Sequence, residues 1–182
     1  MGKITVTQTP IEGLVVIETA VYGDSRGYFM ETYNQRDFED AGLSMVFVQD
    51  NQSKSARGVL RGMHFQRRRP QGKLVRVLWG EVFDVGVDLR RGSVTYGQWH
   101  GQVLSGENRK QFYVPEGFAH GFVVLSKEAE FSYKCTTFYD PSDEGGIRWD
   151  DPAIDIRWPI GREEVILSEK DRKLPLLREI ET

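Results

Sequence analysis

The chain has 182 residues, with 24 Lys or Arg against 27 Asp or Glu and a formal net charge of −3. That length suits one domain burying roughly two-thirds of its unfolded surface. The slightly acidic balance argues against a general nucleic-acid binder, which carries a clustered basic excess, and no apolar run reaches the about 20 residues needed to cross a bilayer.

The opening stretch MGKITVTQTPIEG alternates apolar and polar residues and lacks the apolar centre of a signal peptide. A strand-like run covers 14–22, and Arg26 follows in the turn of YGDSRGYFMETY, where a solvated arginine is the default reading. Asn34 is placed to cap a short helix through RDFEDA that stops at Gly42. Next come the polar stretch QDNQSKS, with Gln49, Asp50 and Asn51, and then LRGMHFQ, which sets His64 between Arg61 and Gln66. The run Arg67, Arg68, Arg69 reads as a solvated turn.

Lys73 opens a β-prone segment over 73–89, where a solvated strand end is the ordinary reading. Within it Val82, Asp84, Gly86 and Asp88 alternate with Phe83, Val85, Val87 and Leu89. That period of two turns an apolar face to a core and the other face to solvent or a pocket. Further strand-like runs cover 110–114, 121–125 and 130–139, separated by Gly-containing turns at about the 8–12-residue spacing of sandwiches and barrels. Tyr133 alternates with Phe131 and the lone Cys135 and reads as a core or rim tyrosine. Cys135 reads as a small buried hydrophobe; unable to form an internal disulfide, it fits a reducing, cytoplasmic compartment. Ser168 and Asp171 open a second short helix. With no repeat or linker, residues 1–182 are expected to form one all-β domain, an antiparallel sandwich or jelly roll with short peripheral helices.

His64 has three readings from the residues alone. A metal ligand needs companions, yet His64 is followed by Phe65 and Gln66 rather than a second histidine, and neither His64 nor His120 shows an obvious carboxylate partner. That reading is the weakest. The other two stand level: a core histidine with satisfied ring nitrogens, or a functional group among polar neighbours that are costly to bury without a partner or ligand.

A resemblance adds to this. DSRGYFMETY, FVQDNQSKS, GVLRGMHFQ, QGKLVRVLWGEVFDVGVDLR, YVPEGFAHGF, YKCTTFYDPSDEGGIRWDDP, WP and LSEKD, in this order, resemble the dTDP-4-dehydrorhamnose 3,5-epimerases of the cupin superfamily over nearly the whole chain. The resemblance implies a cupin-type double-stranded β-helix acting as a homodimer, with no metal or organic cofactor, no nucleic acid and no membrane. It implies inversion of carbons 3 and 5 of the nucleotide sugar dTDP-4-dehydro-6-deoxy-D-glucose, giving dTDP-4-dehydro-L-rhamnose for dTDP-L-rhamnose biosynthesis. An epimerase of one or two carbons acting on another nucleotide 4-ketosugar stands as the alternative.

By the same resemblance His64 is the base, Asp171 its orienting carboxylate, Tyr133 the opposite-face acid and Lys73 the cation at the ketone oxygen. His120 contacts the sugar, and Arg26, Arg61 and Lys170 lie near the diphosphate. Glu31, Gln49, Asp50, Asn51 and Glu144 are further substrate-binding positions, and Tyr139 stacks on the thymine. Part of each site is expected from the partner subunit, with Arg26 and Glu31 as the donors. Met63 stands where leucine is commoner in the family, a swap that conserves volume.

Overall fold

A computed structural model describes residues 4–180. The strands in that range are β1 (Ile4–Gln8), β2 (Val15–Thr19), β3 (Val21–Asp24), β4 (Gly27–Met30), β5 (Gln49–Ala56), β6 (Leu60–Gln66), β7 (Lys73–Trp79), β8 (Glu81–Asp88), β9 (Trp99–Ser105), β10 (Gln111–Val114), β11 (Phe118–Val124), β12 (Glu128–Cys135) and β13 (Glu144–Gly146). A six-stranded sheet in the order β1-β2-β10-β7-β12-β5 faces a five-stranded sheet in the order β13-β6-β11-β8-β9, while β3 and β4 form a separate hairpin. All these pairings are antiparallel, as a cupin-type jelly roll requires.

The helices are short and peripheral. In α1 (Gln35–Asp40) the side chain of Asn34 accepts from the backbone N–H of Arg36, and Gly42 beyond its end has φ 82°. In α2 (Glu169–Arg172) the Ser168 hydroxyl accepts from the backbone N–H of Asp171 at 3.0 Å. Both caps follow the sequence expectation, since each satisfies a donor that the first helical turn leaves free.

The space between the sheets is filled by Val75, Val77, Leu104, Phe112, Phe122 and Phe131. Phe122 and Phe131 stack with centroids 4.1 Å apart, a contact worth about 0.5–1.5 kcal/mol beyond the area it buries. The alternation in β8 follows the expectation, with one apolar face on a core cluster and the other turned to the cavity side. Val85, Val87 and Leu89 point away from the sandwich and are covered by Ile147, Ile154, Ile156 and Ile180 of the C-terminal segment. Val82 belongs to the inter-sheet cluster instead. Asp84 and Asp88 share that alternate face, and both are fully buried.

One boundary differs from the expected ones: the run 14–22 divides into β2 and β3. The run 73–89 divides into β7 and β8 at Gly80, one of the expected Gly-containing turns. The polar stretch QDNQSKS is itself the core of β5, at one edge of the six-stranded sheet.

Candidate active site

Strand β6 carries Arg61 and His64, and β11, its neighbour, carries His120 directly across from His64. The two strands approach closely at Gly62 and Gly121, where a Cβ on Gly62 would lie 2.6 Å from the Cα of Gly121. From the facing sheet come Lys73 at the start of β7 and Tyr133 in β12. Between the sheets these side chains line a cavity of about 500 Å³, together with Phe122, Phe131, Leu167, Ser168, Lys170 and Asp171.

Each histidine in this cavity holds a carboxylate. Nε2 of His64 lies 2.7 Å from Oδ1 of Asp171, and Nε2 of His120 lies 3.0 Å from both oxygens of Asp84. An ionised carboxylate only accepts, so Nε2 of His64 carries the proton and Nδ1 keeps a free lone pair. Burial by itself would raise the Asp171 carboxyl. The hydrogen bond and charge of His64, with donors from Ser168 and Gly62, outweigh that and hold it below the usual carboxylate range. In Asp84 burial wins and pushes the carboxyl up, against the pull of His120 and Lys73.

Lys73 is buried, and its ammonium makes no hydrogen bond or ion pair with a side chain among the described residues. Burial pulls its pKa below the usual lysine value, with Cys135, Asp84 and Glu144 opposing. Burial also pushes the Tyr133 phenol up, aided by Cys135 and countered by Arg61. The Cys135 thiol is buried and likewise raised, so it is an inert neighbour rather than a nucleophile.

At the rim, Glu144 accepts from the Tyr139 hydroxyl at 2.6 Å and pairs with Lys170. The bond to Glu144 pushes Tyr139 up to about 12. Gln49 accepts from the backbone N–H of Tyr139 at 2.9 Å and donates to Asn51 at 3.0 Å, while Asn51 donates to the Cys135 sulfur. Arg61 donates to Ser55 at 3.1 Å.

Three expected site residues are not brought to the cavity within one chain. Asp50 sits on the outer face of β5, paired with Lys134 at 2.9 Å, because adjacent strand residues point to opposite faces. Arg26 lies at the tip of the β3–β4 hairpin, exposed and bonded to Asp24, and Glu31 accepts from Asn34. The arginine run has partners of its own: Arg67 lies over the Phe65 ring, Arg68 pairs with the buried Asp143, and Arg69 pairs with Asp140.

Sequence reasoning did not single out Asp84. Its signal was an acidic residue between Val82 and Gly86 on the face of β8 opposite Phe83, Val85 and Val87. A larger cavity of about 650 Å³ lies under the segment 148–162. There Asp150 is already shared between Arg148 and Arg162, and the lining holds no histidine or lysine. Among the described residues no three His, Cys, Asp or Glu side chains cluster as a metal site.

Comparison with known proteins converges on one group. The family described as dTDP-4-dehydrorhamnose 3,5-epimerase matches residues 8–179. The dTDP-4-dehydrorhamnose 3,5-epimerase of Methanothermobacter thermautotrophicus is 56% identical over 180 residues, covering 98% of this chain and 97% of the relative. The crystal structure of a Legionella pneumophila dTDP-6-deoxy-D-glucose-3,5-epimerase in complex with dTDP-4-keto-L-rhamnose superposes with a TM-score of 0.95. It is 52% identical and is matched over 98% of this chain and 95% of its own. A dTDP-4-dehydrorhamnose 3-epimerase of Streptomyces niveus is 42% identical over 93% of this chain and 82% of its own.

Proposed function

The chain belongs to the dTDP-4-dehydrorhamnose 3,5-epimerase family, and from that premise we propose a proton-transfer mechanism on named side chains. The reaction inverts carbons 3 and 5 of dTDP-4-dehydro-6-deoxy-D-glucose to give dTDP-4-dehydro-L-rhamnose, a step of dTDP-L-rhamnose biosynthesis. Both carbons flank the ketone, so loss of either proton gives an enolate. A base on one face, an acid on the other and a cation at the oxygen are then sufficient.

The observation that carries the assignment is that His64 and Tyr133 line one cavity from opposite sheets. A sugar ring between those sheets meets the imidazole on one face and the phenol on the other. Nδ1 of His64 takes the proton, and Asp171 stabilises the imidazolium that results. Lys73 and His120, backed by Asp84, meet the developing charge on the ketone oxygen. Tyr133 keeps its proton until the enolate carbon takes it. Arg61 and Lys170 serve the diphosphate, and Tyr139 offers its ring to the thymine.

The same reading includes a homodimer in the cytoplasm. Val21, Tyr22, Tyr28 and Phe29 are all exposed on the β3–β4 hairpin, an apolar arm that a second copy would cover, with Arg26 at its tip. The buried, unpaired Cys135 thiol fits a reducing compartment.

Turnover of the dTDP-4-ketosugar in deuterated buffer tests the chemistry. Deuterium should enter both carbons, and His64→Ala should lower kcat by about 10²–10⁴-fold. Label at a single carbon would move the chain to the 3-epimerase type of activity, and a fully active His64→Ala enzyme would remove the histidine from the base role.

A further inference from the structure

The carboxylate that serves His64 does not stand on a strand of either sheet. It is carried by a strap, residues 164–175, that crosses the mouth of the cavity, with Leu167, Ser168 and Asp171 lining the space beneath. Upstream, the strap is pinned to the turn between β5 and β6. Ile166 donates to the Gly58 carbonyl at 2.8 Å and accepts from the backbone N–H of Leu60 at 3.0 Å, forming an isolated parallel bridge with Val59. Arg57 reaches from the same turn to Glu164 through Nε and Nη2, at 3.3 and 3.1 Å, and to the carbonyl of Leu125. Downstream, the Arg148 N–H donates to the Pro175 carbonyl at 2.8 Å.

The upstream pin leaves no slack. Gly58 has φ +81°, and a Cβ there would lie 2.3 Å from the backbone oxygen of Glu164. A side chain at position 58 must therefore push the strap outward, besides straining the turn. Between Ile166 and Asp171 the chain is short, and its single turn of helix is locked by Ser168. A shift at Gly58 has little opportunity to be absorbed before it reaches the carboxylate.

We propose that the Arg57–Gly58 turn is a positioning device for the catalytic pair: by fixing the strap it sets Asp171 against His64, although neither residue touches substrate. This rests on the proposed role of Asp171. A displacement of about 1 Å at a catalytic group is enough to cost on the order of 100-fold in rate.

The test is a double-mutant cycle read in kcat at saturating dTDP-4-ketosugar. Gly58→Ala should lower kcat about tenfold or more in the native background. In an Asp171→Asn background, where no carboxylate is left to misplace, it should cost less than about threefold, because residues acting through one group are not additive. Equal losses in both backgrounds, or native kcat in Gly58→Ala, overturn the proposal. Should Gly58→Ala fail to fold, Arg57→Ala removes the ion pair without crowding the turn, and the same cycle applies with a smaller loss in the native background. Native activity in Asp171→Asn alone would overturn the reading of the site itself, a result distinguishable from additivity with an impaired Asp171→Asn.

Discussion

Burial acts on Lys73, Tyr133 and Cys135 in the same sense, favouring the uncharged form of each, and the consequences for catalysis are opposite. For Tyr133, the proposed acid, the neutral form is the one that donates, so a raised pKa keeps it loaded further into the alkaline range. For Lys73 the neutral form is useless at an oxyanion, and burial brings its loss of charge closer to working pH. Lys73, and not Tyr133, should therefore produce the alkaline limb of the kcat/KM profile, at a pH below the ordinary lysine value of about 10.4. Lys73→Arg supplies a charge that does not titrate in this range, so its maximum should drop while the limb flattens. Lys73→Met should lose about 10²–10³-fold at every pH. An unchanged limb in Lys73→Arg would show that another group titrates there.

The elements that carry these residues were unequally legible. Both helix caps were readable, because a cap is a local contact between a side chain and the next turn. So was the period of two in β8. What covers its apolar face was not, since that depends on the C-terminal segment returning from residue 147 onward to pack on Val85 and Val87. Strand β5 was too polar to read as a strand from propensity, which reflects packing context more than backbone preference. Asp84 needed the register of β8 against β11, a non-local pairing, before it could be matched with His120. Asp88, on the same face of β8, shows what else such an inward carboxylate can do. It accepts from Arg90, Ser93 and Thr95, all within 3.0 Å, and so folds the connection from β8 to β9 around itself. Burial would raise its pKa, but these donors outweigh that and hold it far below the usual range. A carboxyl depressed in the folded state stabilises fully above its unfolded pKa, and the contribution disappears as pH falls through the folded value. Asp88→Asn should accordingly cost about 2–3 kcal/mol at pH 7. The gap to the native protein should narrow from about pH 4 downward. Urea denaturation at pH 7 and at about pH 2 decides it, and a gap independent of pH would mean that the charge of Asp88 contributes nothing.

At the scale of the whole molecule, the cavity holds the proposed base, acid and cation; besides Asp50, which points outward from β5, it is short of two further expected groups, Arg26 and Glu31. Sequence could name them but could not locate them, because they belong to a projecting arm that makes little of its own chain's site. A hairpin of two four-residue strands is marginal by itself. This one exposes 57% of Tyr28 and 68% of Phe29. One of its anchors is the Arg109 guanidinium, 4.3 Å from the Tyr28 ring centroid. In the proposed homodimer a second copy would cover this exposed apolar surface, and a dimer that trades arms would place each Arg26 at the other subunit's diphosphate. Two defective chains then complement each other. His64→Ala lacks the base and Arg26→Ala lacks the donated guanidinium, so each homodimer should be impaired, the second chiefly in KM. In a co-expressed mixed dimer one site receives both lesions and the other receives neither. Activity at low substrate should exceed that of either parent, towards half the native value for a purified heterodimer. If Arg26 served its own chain instead, both sites of the mixed dimer would stay defective, and activity would not exceed the average of the parents.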